Sequence, residues 1–127
     1  ATLYPGVPEL LARLRAAGLR LGLVSDYRGV PDRLTALGLS PAQFDYVLVT
    51  EEQGAMKPAP RMAAAALAAM QLPGSALVMV GDRAFADERF AAAAGMRFLG
   101  VRPRGPADSA WMPWPAVQAR LLAWTGA

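Results

Sequence analysis

Ala76-Leu77-Val78-Met79-Val80-Gly81-Asp82-Arg83-Ala84-Phe85-Ala86-Asp87 decides how the rest of the chain is read. Its first part, Ala76 to Val80, is short, rich in Val and Leu, and apolar without interruption. That is the pattern of a strand covered on both faces. Polarity changes at Gly81-Asp82, and an alanine-rich helical stretch, Phe85 to Ala94, then runs to Gly95. A strand that hands over to a helix in this way is part of a βαβ unit. In open parallel sheets the groups that meet ligands lie beyond the carboxyl ends of the strands, which is where Asp82 falls.

The same alternation continues on both sides. Leu19 to Ser25, Tyr46 to Thr50 and Arg97 to Val101 are further short apolar runs that predict strands. Pro8 to Ala17, Pro31 to Leu37 and Pro60 to Met70 predict helices, the first two stopping at Gly18 and Gly38 as C-caps. A last helix is predicted over Pro115 to Trp124, where Val117, Leu121 and Trp124 share one face. Arg102 to Pro113, with its Pro, Gly, Asp and Ser, reads as a connector loop. Met62, Met70 and Met79 read as core filler, and Trp111, Trp114 and Trp124 as packing around the terminal helix. The expectation is one α/β domain over residues 1–127, a Rossmann-like three-layer sandwich around a parallel sheet.

Composition narrows the chemistry. The 127 residues contain no Cys and no His, which excludes disulfides, thiolate nucleophiles, imidazole bases and Cys/His zinc sites. Catalysis would have to run on carboxylates, hydroxyls, arginines, backbone amides and Lys57, the one lysine. The net charge of +3 comes from scattered arginines and forms no basic stripe with interleaved aromatics, so nucleic acid is not an expected partner. No apolar run approaches the roughly 18 residues of a membrane span, and no signal peptide opens the sequence. A cytoplasmic protein with no membrane partner is expected.

The predicted strand ends bring a particular set of groups together. The first strand ends in Ser25-Asp26, the second in Thr50-Glu51-Glu52 and the third in Gly81-Asp82, and Lys57-Pro58 precedes the Pro60 helix. A hydroxyl, a lysine and carboxylates on one sheet edge suit a phosphate and a divalent cation. Each also has a plain structural role open to it. Ser25 could cap a turn, Lys57 could be solvated, Asp82 could cap the helix near Phe85, and Asp87 could face that helix dipole.

In this order the residues resemble the haloacid dehalogenase-like hydrolases, phosphatase-like branch with a helical cap. Pro5-Gly6-Val7-Pro8-Glu9-Leu10-Leu11 and Leu21-Gly22-Leu23-Val24-Ser25 resemble the approach to that family's second motif and the motif itself. Phe44-Asp45-Tyr46-Val47-Leu48 with Lys57-Pro58-Ala59-Pro60 resembles the third-motif region. Gly81-Asp82 through Asp87 resembles the fourth motif, G-D-x-x-x-x-D, and Ala93-Ala94-Gly95-Met96 follows it as in the family. The resemblance implies catalytic roles for Lys57 and Asp82, and phosphate binding by Ser25, Asp26 and Lys57. It implies Mg2+ as cofactor, held by Asp82 with Asp87, and a small phosphorylated substrate. The chemistry is consistent, because phosphoryl transfer needs positioning and charge neutralisation, and Mg2+ prefers a few hard oxygens.

The sequence also departs from the family. Asp26 stands where Asn is common and puts a carboxylate near the phosphate, with Arg83 as a candidate compensating cation, and Ala59 replaces an Asp. No D-x-D occurs in these 127 residues, so the family's nucleophile, its first and central strand and its cap are absent from them. The chain is therefore expected to be the carboxyl-terminal part of the core, inactive alone. A partner segment or second copy would supply a strand between the strands ending at Ser25 and Gly81. The alternatives are a catalytically inactive binding or scaffold domain and a 2-haloacid dehalogenase-type hydrolase, which needs the same missing aspartate.

Overall fold

The computed structural model describes residues 4–26, 29–50, 54, 57–102 and 110–125. Five α-helices and five strands occur among them, alternating up to β4, which β5 follows directly. Helix α1 (Val7–Ala16) leads to β1 (Gly22–Ser25), α2 (Val30–Ala36), β2 (Tyr46–Val49) and α3 (Pro60–Met70). Then come β3 (Val78–Gly81), α4 (Arg89–Ala94), β4 (Arg97–Arg102), β5 (Trp111–Pro113) and α5 (Trp114–Ala123). Among the described residues every strand pairing is parallel, and the architecture is a Rossmann-like three-layer α/β sandwich.

Helices cover both faces because the strands are apolar on both. Leu23 of β1 packs on the side of α2, against the cluster of Val30, Leu34 and Leu39. Its neighbour Val24 packs on the other side, against Met62, Ala66 and Phe90 of α3 and α4. In β3, Val78 and Val80 face α1 and α5, whereas Met79 faces α3 and α4. This is the strict alternation of side chains across a strand. α5 is tied to the start of the chain, with Trp114 Nε1 donating to the Pro5 carbonyl at 2.8 Å and its ring stacked on Tyr4. The reading of Trp114 as packing for the terminal helix matches that placement.

The strands form two separate groups. β1 pairs with β2, and β3 pairs with β4, which pairs with β5. β1 and β3 are not hydrogen-bonded to each other among the described residues. Between them lies an apolar trough of about 350 Å³, lined by Leu23 and Val24 of β1 and by Val78 and Val80 of β3. It is also lined by Leu14 from one helix layer and Phe90 from the other, so it runs through the sheet.

Three local features differ from the sequence expectation. The connector read over Arg102 to Pro113 contains β5, three residues paired with Gly100–Arg102; residues 103–109 lie outside the described residues. The helix expected from Phe85 opens one residue earlier as a wide turn, Ala84–Glu88, in which the Arg83 carbonyl accepts from both Asp87 and Glu88 amides. The strand expected from Leu19 begins at Gly22, because Leu21 is bound instead by Asp45. The Leu21 amide donates to Asp45 Oδ2 at 2.7 Å, and the Asp45 amide returns a bond to the Leu21 carbonyl at 2.6 Å.

Candidate active site

The carboxyl ends of β1, β2 and β3 and the loop before α3 bring four polar side chains together. Two of these elements belong to one strand group and one to the other, so the site spans the trough. Asp26, one residue beyond β1, is buried, and so are Thr50 beyond β2 and Asp87 in the turn after β3. Lys57 lies just before α3 and is nearly buried, its side chain 10% exposed.

Lys57 Nζ donates to Asp87 Oδ1 at 2.6 Å and lies 3.5 Å from the Val24 carbonyl. The ion pair therefore crosses from the Lys57 loop to the turn that follows β3. The other oxygen of Asp87, Oδ2, accepts from the backbone amides of Asp82 and Arg83 at 3.1 and 3.2 Å. One carboxylate thus caps the turn and holds the lysine. Gly81 permits this closeness, since a Cβ there would overlap the Asp87 side chain.

Asp26 makes a second set of bonds. Its Oδ1 accepts from Thr50 Oγ1 at 2.6 Å and from the Lys57 backbone amide at 2.9 Å. Ser25, the last residue of β1, is half-buried and pairs in register with Val49. Asp82 sits directly after β3 with its side chain exposed. No group of three or more His, Cys, Asp or Glu that could enclose a metal occurs among the described residues.

The sequence-selected residues therefore divide by environment. Lys57 and Asp87 are brought into contact, Asp26 reaches the Lys57 backbone, and Ser25 and Asp82 end the two strands that border the trough. Arg83 contributes its amide to Asp87. Glu51 and Glu52 lie outside the described residues. The sequence reading gave Thr50 no role beyond ending a strand. Its complete burial is a signal that only the fold supplies.

The sequence model for haloacid dehalogenase-like hydrolases matches residues 1–95. The chain belongs to the haloacid dehalogenase-like hydrolases. It is 38% identical over 115 residues to the phosphoserine phosphatase of Thermus thermophilus, covering 84% of this chain and 45% of that protein. It is 34% identical over 94 residues to the glyceraldehyde 3-phosphate phosphatase of Pyrococcus abyssi, covering 73% of this chain and 40% of that protein. The haloacid dehalogenase-like chain thus spans less than half the length of these curated relatives.

Solved structures give the same fold. A phosphatase of this family from Thermococcus onnurineus superposes with a TM-score of 0.81 at 24% identity, over 95% of this chain and 58% of that one. The 2-haloacid dehalogenase of Pseudomonas syringae superposes with a TM-score of 0.77 at 29% identity, over 96% of this chain and 54% of that one.

Proposed function

We propose that this chain carries the lysine-and-acid half of a phosphomonoester hydrolase, a core domain completed by a segment bearing a D-x-D nucleophile. The observation that carries the reading is the Lys57–Asp87 pair at the carboxyl edge of the sandwich. The one lysine of the chain is held nearly out of water, aimed by a carboxylate that is itself fixed by two backbone amides. A solvated surface lysine needs no such arrangement. A preorganised ammonium in a poorly hydrated site is suited to charge that develops on a phosphoryl group.

The other roles follow from position. Ser25, at the end of β1, would donate its hydroxyl to a phosphoryl oxygen. Lys57 would neutralise the phosphate and the attacking carboxylate. Asp82 fits Mg2+ as a single hard-oxygen ligand, because its side chain is exposed and its backbone alone is engaged by Asp87. Mg2+ is bound through one or two carboxylates with water and phosphate filling the rest, and it would supply charge neutralisation on the phosphate. Asp87 fits as the support of that edge, since Lys57 and two amides already occupy its oxygens.

The relatives named for phosphoserine and glyceraldehyde 3-phosphate support a small phosphorylated substrate. Among the described residues no helix is long and apolar enough to cross a membrane. The trough supports the missing piece as well, since the facing edges of β1 and β3 have backbone groups to pair and apolar side chains to cover.

The test is to supply an apolar strand ending in D-x-D, in trans or fused upstream, and to assay p-nitrophenyl phosphate with and without Mg2+. Mg2+-dependent release of nitrophenol is expected. A folded, strand-filled complex without turnover would instead favour a binding or scaffold domain. Turnover of 2-chloropropionate with none of the phosphate ester would favour the dehalogenase chemistry.

A further inference from the structure

We propose that Asp26 is the positioning residue for Lys57, acting through the lysine's backbone and not on the phosphate. The proposal rests on the reading of Lys57 given above. Asp26 is 7% exposed and stands at the carboxyl end of β1. Its Oδ1 takes the Thr50 hydroxyl, which is completely buried, and the Lys57 amide, so one atom joins β1, the end of β2 and the loop before α3. The partners are 24 and 31 residues away in sequence, so nothing local enforces the contact. Once the Lys57 backbone is fixed, its four-carbon stem has to span only the distance to Asp87. Without that bond, the ordering entropy of a lysine side chain opposes the ion pair.

This role removes a difficulty in the sequence. A carboxylate facing a bound phosphate would repel it, whereas here the engaged oxygen of Asp26 is directed at a hydroxyl and an amide. Hydrogen bonds to a charged acceptor are short and strong, as the 2.6 Å contact from Thr50 is. Because both bonds converge on Oδ1, an asparagine with its carbonyl oxygen in that place satisfies both donors. Alanine satisfies neither.

Lys57 being the single lysine gives a direct readout. The whole chain is produced with 13Cε-lysine, and one side-chain signal reports the ammonium end. In the wild type the two ε protons are expected to be inequivalent, as for an immobilised side chain. D87A, which leaves no side-chain acceptor at that position, serves as the reference for a released lysine. D26A is expected to move the signal to the D87A position and merge the two ε protons, while D26N keeps the wild-type pattern.

Should D26A not fold, D26S takes its place, since serine is too short to reach both donors. A folded D26A or D26S with an unchanged Lys57 signal would overturn the proposal, as would a folded D26N with a released lysine. A merely structural role for Asp26 would lower the melting temperature without moving that signal. The measurement needs no turnover, so its failure is distinct from failure of the hydrolase reading, which is judged by complementation alone.

Discussion

The carboxyl edge of this molecule and the trough beneath it follow opposite rules. At the edge, Asp26, Thr50, Lys57 and Asp87 come from four separate segments and bond to one another at 2.6 to 2.9 Å. In the trough, β1 and β3 make no pairing with each other among the described residues, and apolar side chains line about 350 Å³ of space. The edge is knit around a lysine by hydrogen bonds, and the trough is an apolar opening between two strand groups. The comparison teaches that the two halves of a site can be separable. Charged groups meet within this chain at the edge, while the two strand groups stay apart beneath it; under the proposed function an added strand carrying the nucleophile would close that gap.

The largest effect is expected from breaking the edge. D87A leaves a nearly buried ammonium and two amides without their partner, and removing one member of a buried ion pair costs about 3 to 5 kcal/mol. Urea unfolding monitored by circular dichroism measures this, and a loss well under 1 kcal/mol would mean that the pair is solvated. T50V deletes a hydroxyl bonded to a carboxylate, a change worth about 1.5 to 3 kcal/mol. The same unfolding midpoint reads it.

Two small-to-large substitutions sharpen the contrast with the trough. Ala66 of α3 is completely buried in the cluster shared with α4, and A66L should cost about 1 to 3 kcal/mol by overpacking. Val80 lines the trough, where V80F has room and is expected to cost less than about 1 kcal/mol. Equal costs would mean that the trough is collapsed in solution.

The smallest effect concerns Tyr46, which also lines the trough and whose phenol is pushed up to about 12 by burial. The unfolded phenol ionises near 10, so between about pH 10 and pH 12 only the folded state keeps the proton. Stability should therefore fall as pH rises through that window. Y46F should remove that part of the slope in a series of unfolding curves from pH 9 to 11.5.

Most of the layering was legible because strands covered on both faces are written as continuous apolar runs. Val78 to Val80 and Tyr46 to Val49 are examples. The three residues of β5 were not, since Trp111–Pro113 is too short for periodicity and contains a proline. Lys57, Asp82 and Asp87 could be selected from motif order and position at strand ends. The bonds of Asp26 could not, because a carboxylate after a strand looks the same whether it faces a ligand or an amide 31 residues away. The wide turn at Ala84–Glu88 was hidden for a related reason. It is shaped by Asp87 turning inward to the amides of Asp82 and Arg83, a contact that helical periodicity does not encode.

Under the proposed function, Lys57 does the charge neutralisation in a site completed by an added strand. The most direct test compares Mg2+-dependent hydrolysis of p-nitrophenyl phosphate by the complemented wild-type chain and by complemented K57M, with strand uptake verified in both. A loss of at least about 100-fold in kcat is predicted for K57M, the scale of removing one preorganised charge-stabilising donor. Turnover within a few-fold of wild type would contradict the account.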